Sequence, residues 1–139
     1  MRVLIDTSVW SLALRRRRRD LNPAELKVYY EWERLVLDGE ATLIGPVRQE
    51  ILSGIATARE VEVVKSRLAT VDELLLPSEL FSLAADFFNA CRAGGISTSA
   101  VDMMICAAAH HHGVPIFTTD PDFIYFARHI PIKLHKWSK

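Results

Sequence analysis

Five carboxylates stand where they could act together: Asp6, Glu50, Asp102, Asp120 and Asp122. Each follows a short apolar run or sits near the start of a helical one. Asp6 is the most informative, because it ends the apolar run Val3-Leu4-Ile5 at what must be the edge of a core. A carboxylate there is desolvated, and like-charged neighbours raise its pKa further unless a cation compensates. A hard divalent ion is the natural relief for several acids brought together. Oxygen-only ligands select Mg2+, with Mn2+ a plausible substitute, over zinc. No pattern of His and Cys competes for that role, since His110, His111 and His112 fall at a helix end, where imidazoles meet solvent and the negative end of the dipole. Taken singly, each acid could also be a helix cap: Asp102, three residues after Ser99, is half of a capping box, and Asp120 before Pro121 is an N-cap. Caps, however, need not converge.

Convergence depends on the elements between the acids. Residues 2–5 read as a strand, and Thr7 or Ser8 then offers an N-cap to an apolar helix carrying Val9, Trp10, Leu12, Ala13 and Leu14. Asn22-Pro23 opens a second helix that Asp38-Gly39 closes. Residues 41–44 form the next expected strand, and Gly45-Pro46 starts a helix carrying Glu50. A helix over 58–69, a β-like run over 71–76 broken by Pro77, and a helix over 78–91 follow. Gly94-Gly95 marks a loop, Ser99 caps a helix over 100–111, and Gly113 ends it. Residues 115–118 are a further strand, Asp120-Pro121 starts a short helix, and residues 132–135 suit a last, edge strand. Strands separated by helices imply right-handed βαβ units and a mostly parallel sheet covered on both faces. Ligands in such folds bind beyond the carboxyl ends of the strands, which is where the acids lie.

At 139 residues the chain suits one domain, residues 1–139, able to bury a core without disulfides or structural metal. Cys91 and Cys106 make neither a CxxC pair nor a secreted framework, and read as reduced, buried thiols. The N-terminal run meets Asp6 too soon for a signal-peptide core, and the uncharged stretch 103–119 is interrupted by three histidines, Gly113 and Pro115. A cytoplasmic protein without a membrane span is expected.

Formal net charge is zero, from 17 Lys plus Arg against 17 Asp plus Glu. The balance is unevenly distributed. Residues 1–19 hold six arginines and one acid, and the remainder holds 11 basic and 16 acidic groups. Arg15, Arg16, Arg17, Arg18 and Arg19 form the most polarised segment, beginning about 13 Å from Asp6 if the first helix runs through them. Adjacent like charges repel, which suits contact with RNA phosphates or a partner's acidic surface better than solvation alone. Trp10, Leu14, Tyr29, Tyr30 and Trp32 load the first two helices with apolar area, mostly core, with the rest available to a groove or dimer surface.

Four segments taken together resemble a known family. Ile5-Asp6-Thr7-Ser8-Val9-Trp10, Pro46 with Glu50, Asp102-Met103-Met104-Ile105-Cys106-Ala107-Ala108-Ala109, and Thr118-Thr119-Asp120-Pro121-Asp122-Phe123 look like the ordered motifs of PIN-domain ribonucleases. More narrowly, the chain is similar over essentially its whole length to the VapC toxins of bacterial and archaeal toxin–antitoxin pairs. The resemblance implies a three-layer α/β/α fold and a Mg2+-dependent endoribonuclease, the toxin of a type II system. It would hydrolyse RNA with cation-activated water and leave a 5′-phosphate and a 3′-hydroxyl. Asp6 and Asp102 would be the principal metal ligands, and Glu50 would support the metal directly or through water. One of Asp120 and Asp122 would be the fourth acid. Ser8 and Thr118 would orient carboxylates from behind. The implied partners are RNA, an antitoxin laid across an apolar groove with a basic side chain near the acids, and a second copy in a symmetric dimer. Two alternatives are a PIN-like scaffold that binds RNA or protein without cleaving, and a phosphatase of haloacid-dehalogenase type. The latter expects an Asp where Ser8 stands.

Overall fold

The computed structural model describes residues 1–137. Along them run β1 (Val3–Ile5), α1 (Thr7–Arg15), α2 (Pro23–Leu37), β2 (Ala41–Leu43), α3 (Gly45–Leu52) and α4 (Ala58–Leu68). Then come β3 (Asp72–Glu73), α5 (Glu79–Ala93), α6 (Ala100–His112), β4 (Ile116–Phe117) and α7 (Asp122–Phe126). The four strands make one all-parallel sheet in the order β3-β2-β1-β4, with Val3 opposite Ala41, Leu4 opposite Ile116 and Thr42 opposite Asp72. The chain steps outward from β1 to β2 to β3 and then returns across the sheet to β4. Right-handed crossovers therefore put α1 to α4 on one face and α5 and α6 on the other, the expected three layers. The reversal of direction falls between β1 and β4, which makes their carboxyl ends the place for a ligand.

The central strands are short, wholly apolar apart from Thr42, and fully buried. Thr42 satisfies its hydroxyl by donating to the Val3 carbonyl at 2.8 Å across the β1–β2 pair. From Met103 to Ala109 every residue of α6 is buried, and Ala107, Ala108 and Ala109 let it lie close to its neighbours. Trp10 donates its indole N–H to the Ile5 carbonyl at 3.1 Å and meets Trp32 edge-on at 5.8 Å, which joins β1, α1 and α2. Both tryptophans belong to the core, and both cysteines are free and buried.

The signals at Asn22, Ser99 and Gly113 operate as read, whereas neither Thr7 nor Ser8 is the N-cap of α1, and the Asp102 side chain returns no capping-box bond to Ser99. Asn22 and Glu25 form a reciprocal capping box at 2.8 and 3.0 Å, the Ser99 hydroxyl accepts from the Asp102 amide at 3.0 Å, and Gly113 takes the left-handed conformation that ends α6, with φ of 67°. The late strands are shorter than expected. Only Asp72–Glu73 of residues 71–76 is strand, because α3 begins directly after β2 and leaves the rest of that run without a partner. β4 stops at Phe117, where Thr118 turns its hydroxyl toward Asp6. Residues 132–135 do lie on the outer edge, but they form one parallel bridge, Leu134 with Ile116, because a two-residue strand offers no longer ladder. The short last helix starts at Asp122, two residues later than Asp120.

That edge segment is tied to α2 by a half-buried polar knot. Glu31, 8% exposed, accepts from Arg34 Nε and Nη2 at 2.9 and 2.8 Å and pairs with His135 Nε2 at 2.6 Å. Arg34 also reaches Asp38 and Glu40. Arg34 first, then His135, holds the Glu31 carboxyl below the usual carboxylate range against the opposing effect of burial. A depressed acid stabilises the fold above its unfolded pKa, and that contribution is lost as pH falls through the folded value. Glu31→Gln is thus expected to cost about 1–3 kcal/mol at pH 7. In denaturant titrations the gap to wild type closes as pH falls below the ordinary carboxylate range; a gap independent of pH would contradict this account.

Candidate active site

Asp6 follows the last residue of β1 and is only 5% exposed. It occupies the N-cap position of α1, yet its side chain makes no capping bond to that helix. Two hydroxyls converge on its Oδ2 instead: Ser8 Oγ at 2.8 Å from the first turn of α1, and Thr118 Oγ1 at 2.8 Å from the end of β4. The hydroxyls stand 3.4 Å apart and are themselves held in place. Ser8 Oγ accepts from the Thr119 amide at 3.1 Å, and Thr118 Oγ1 accepts from the Asp120 amide at 3.0 Å. Ser8, read as a helix cap or an orienting hydroxyl, does the latter. Burial nevertheless raises the Asp6 pKa, outweighing these hydroxyls and the neighbouring backbone amides.

Asp102 arrives from the first turn of α6 on the opposite layer. Its pKa is pushed up to about 6, first by burial and then by the negative charges of Asp6, Asp120 and Glu50, with the Ser99 bond opposing. The charges of three of the other four acids therefore bear on Asp102. Thr7 Oγ1 donates to Glu50 Oε1 at 2.6 Å and so ties α3 to the start of α1. Asp120 is half-buried; Asp122 is exposed, and its amide donates to Asp120 Oδ1 at 2.9 Å. Asp120 thus receives the first amide of the last helix, and its charge bears on Asp102.

None of the five acids forms an ion pair with a Lys, Arg or His among the described residues. The donor set is all oxygen and the charge is uncompensated, which suits a hard divalent cation. As the side chains stand, no three His, Cys, Asp or Glu groups among the described residues enclose a metal ion. The set fits such an ion in chemistry and charge. Asp6, Asp102, Asp120 and Glu50 are the residues that could hold it.

The arginine run does not continue α1 as a basic stripe. The helix ends at Arg15, and Arg16 turns extended. Arg16 pairs with Glu25, while Arg18 reaches Glu33 at 3.3 Å and the Tyr29 hydroxyl at 3.1 Å. Arg17 and Arg19 are exposed, and their side chains make no hydrogen bond among the described residues. Arg15 donates through Nη2 to the carbonyls of Glu50, Ile51 and Ser53, at 3.2, 2.6 and 2.9 Å. Sequence reasoning missed this clasp and the Thr7–Glu50 bond. The one available signal was the spacing of Thr7, Ser11 and Arg15, four residues apart. His110 and His112 bond the carbonyls of Pro131 and Leu75, away from the acids.

A family model described as PIN domain matches residues 3–129. No curated protein matches in sequence. Among solved structures, the fold is similar to FitAcB from Neisseria gonorrhoeae, at TM-score 0.68 and 19% identity over 96% of each chain. It is also similar to VapBC2 from Rickettsia felis bound to a fragment of its promoter DNA, at TM-score 0.72 and 15% identity over 99% of this chain and 100% of that one. DNA-bound VapBC from Salmonella typhimurium gives TM-score 0.72 and 15% identity over 99% of both.

Mutual repulsion of the acids has a measurable consequence without any substrate. In chelator at neutral pH, Asp102→Asn is expected to melt a few degrees above wild type, the equivalent of roughly 1 kcal/mol. Added Mg2+ or Mn2+ should raise the wild-type melting temperature and move the variant less. An unchanged wild-type melting curve in millimolar metal would contradict a cation site here.

Proposed function

Because the chain belongs to the PIN domain family, we propose that it is a Mg2+-dependent endoribonuclease acting as the toxin of a type II toxin–antitoxin system. Fold alone does not carry this reading. What supports it is one observation: Asp6, Asp102, Asp120 and Glu50 gather without a compensating cation where the strand order reverses. Asp6 and Asp102 are the principal ligands in this proposal, and Glu50 is the supporting one. Asp120 is the fourth acid in preference to Asp122, because it is half-buried and its charge acts on Asp102.

When bound, the divalent ion would supply Lewis acidity, lowering the pKa of water and offsetting charge on the phosphodiester. The chain's own residues provide position. Ser8 and Thr118 fix one oxygen of Asp6 from two different elements, so its carboxylate holds one orientation. Thr7 does the same for Glu50. Apolar β1, β4 and α6 keep the floor of the site dry, which strengthens each electrostatic interaction above it.

A protein partner belongs to this proposal. Solved VapBC and FitAB structures of the same fold include assemblies bound to DNA, which supports an antitoxin. A cavity of about 380 Å3 lined by Trp10, Leu14, Trp32, Val36 and Arg67 suits an apolar segment of it. A symmetric homodimer and a cytoplasmic location complete the proposal; among the described residues no helix is long and apolar enough to cross a membrane.

The test is incubation of the purified chain, free of partner, with mixed structured RNAs in Mg2+ or Mn2+. Cleavage is expected for wild type, none in EDTA, and a loss of at least about 100-fold for Asp6→Asn. Thr118→Val, which removes a hydroxyl behind Asp6, is expected to lose about 10–100-fold. Asp120→Asn should cost more activity than Asp122→Asn. Equal cleavage by wild type and Asp6→Asn would overturn the proposal.

A further inference from the structure

A polar cavity of about 410 Å3 opens beside the acids, between α1 and α3. Thr7, Ser11 and Arg15, four residues apart on one face of α1, form one wall, and Gln49, Glu50 and Ser53 form the other. Of the acids of the proposed nuclease Glu50 lines it directly, and Val101, the chain neighbour of Asp102, lines it too, so the cavity adjoins that site. Thr7 and Glu50, bonded to each other, mark its near end. Arg15 marks the far end, about 12 Å further along α1.

Arg15 differs from its neighbours in the run. Arg16 and Arg18 are matched by carboxylates, whereas Arg15 forms no ion pair among the described residues and touches only the main-chain carbonyls that end α3. All three contacts use Nη2. A guanidinium carries five N–H donors, so those on Nε and Nη1 have no acceptor in the chain among the described residues. The clasp also fixes its plane, so little freedom remains to be lost when an anion binds. Opposite, the Gln49 amide offers both a donor and an acceptor, and Ser11, on the same wall as Arg15, offers a hydroxyl, the chemistry that reads a base edge. The volume lies within the range that holds a small ligand. Sequence-dependent RNA recognition works mostly on unpaired nucleotides whose edges are free.

We propose that this α1–α3 groove is a nucleotide subsite. It takes an unpaired RNA nucleotide beside the bond to be cut, with Arg15 on its phosphate and Gln49 and Ser11 on its base. The subsite rests on the nuclease reading above and adds what that reading lacks, a source of substrate choice. It also places a positive group where a polyanion must approach uncompensated acids.

The test sequences the ends produced from a single-stranded RNA library and measures KM and kcat on one cleaved oligonucleotide. Wild type, Gln49→Ala, Gln49→Lys and Ser11→Leu are compared, each checked for folding by circular dichroism. Wild type is expected to show a base preference at a fixed position beside the cut. Gln49→Ala and Ser11→Leu should flatten it and raise KM about tenfold, the loss of roughly one hydrogen bond to a charged or well-oriented partner, with a smaller change in kcat. Gln49→Lys should lower KM. If wild type cleaves with no such preference, or folded Gln49→Ala and Ser11→Leu leave preference and KM unchanged, the subsite is overturned while the nuclease reading stands. If wild type cleaves no RNA in either metal, both fall together.

Discussion

A carboxylate buried at the end of the innermost strand is the constraint around which this molecule is arranged. Asp6 would be costly at 5% exposure if it were left to itself. It is tolerated because hydroxyls from the first turn of α1 and from the end of β4 both donate to it. Those bonds fix the register of three segments at once: Ser8 receives the Thr119 amide, and Thr118 receives that of Asp120. The network therefore sets where β4 stops and where the last helix begins. It also sets the distance between the acid of β1 and the acid that follows β4.

Charge explains the rest of the site. Acids from the end of β1, from α3 and from the β4–α7 turn act on Asp102, and none of these carboxylates forms an ion pair with a cation of the chain among the described residues. Zero net charge conceals this, because the chain divides into an arginine-rich start and an acidic remainder. The arginines are in turn mostly spent on structure: Arg16 and Arg18 on α2, and Arg15 on the end of α3. Only the last keeps unused donors beside the acids. A polar groove with one held cation, leading to an uncompensated acidic pocket, suits a negatively charged strand that meets a divalent ion.

Most of this was legible in the sequence, for a physical reason. Asp6 after an apolar run, Ser99 three residues before Asp102, and Gly113 after a helix are signals that can be read within a few residues of chain. The parallel sheet followed from alternation, and the strand ends at which the acids lie followed from the sheet. What escaped reading depends on elements far apart in the chain. Thr7 looked like a cap and bonds Glu50, 43 residues away. Arg15 looked like part of a phosphate-binding block and clasps carbonyls as many as 38 residues distant. The proposed preference for Asp120 over Asp122 rests on burial, which two acids two residues apart at a helix start do not reveal. The run over 71–76 became a two-residue strand only because its partner β2 ends early.

The central claim is that the acids on β1, α3, α6 and the β4–α7 turn together form a divalent-cation site. The measurement that tests it most directly is anomalous scattering from a crystal of the chain soaked in Mn2+. The account places a Mn2+ peak against the carboxylates of Asp6 and Asp102, lost in Asp6→Asn crystals soaked alike. A soaked wild-type crystal with no peak there, or with Mn2+ bound only to acids elsewhere, would contradict it.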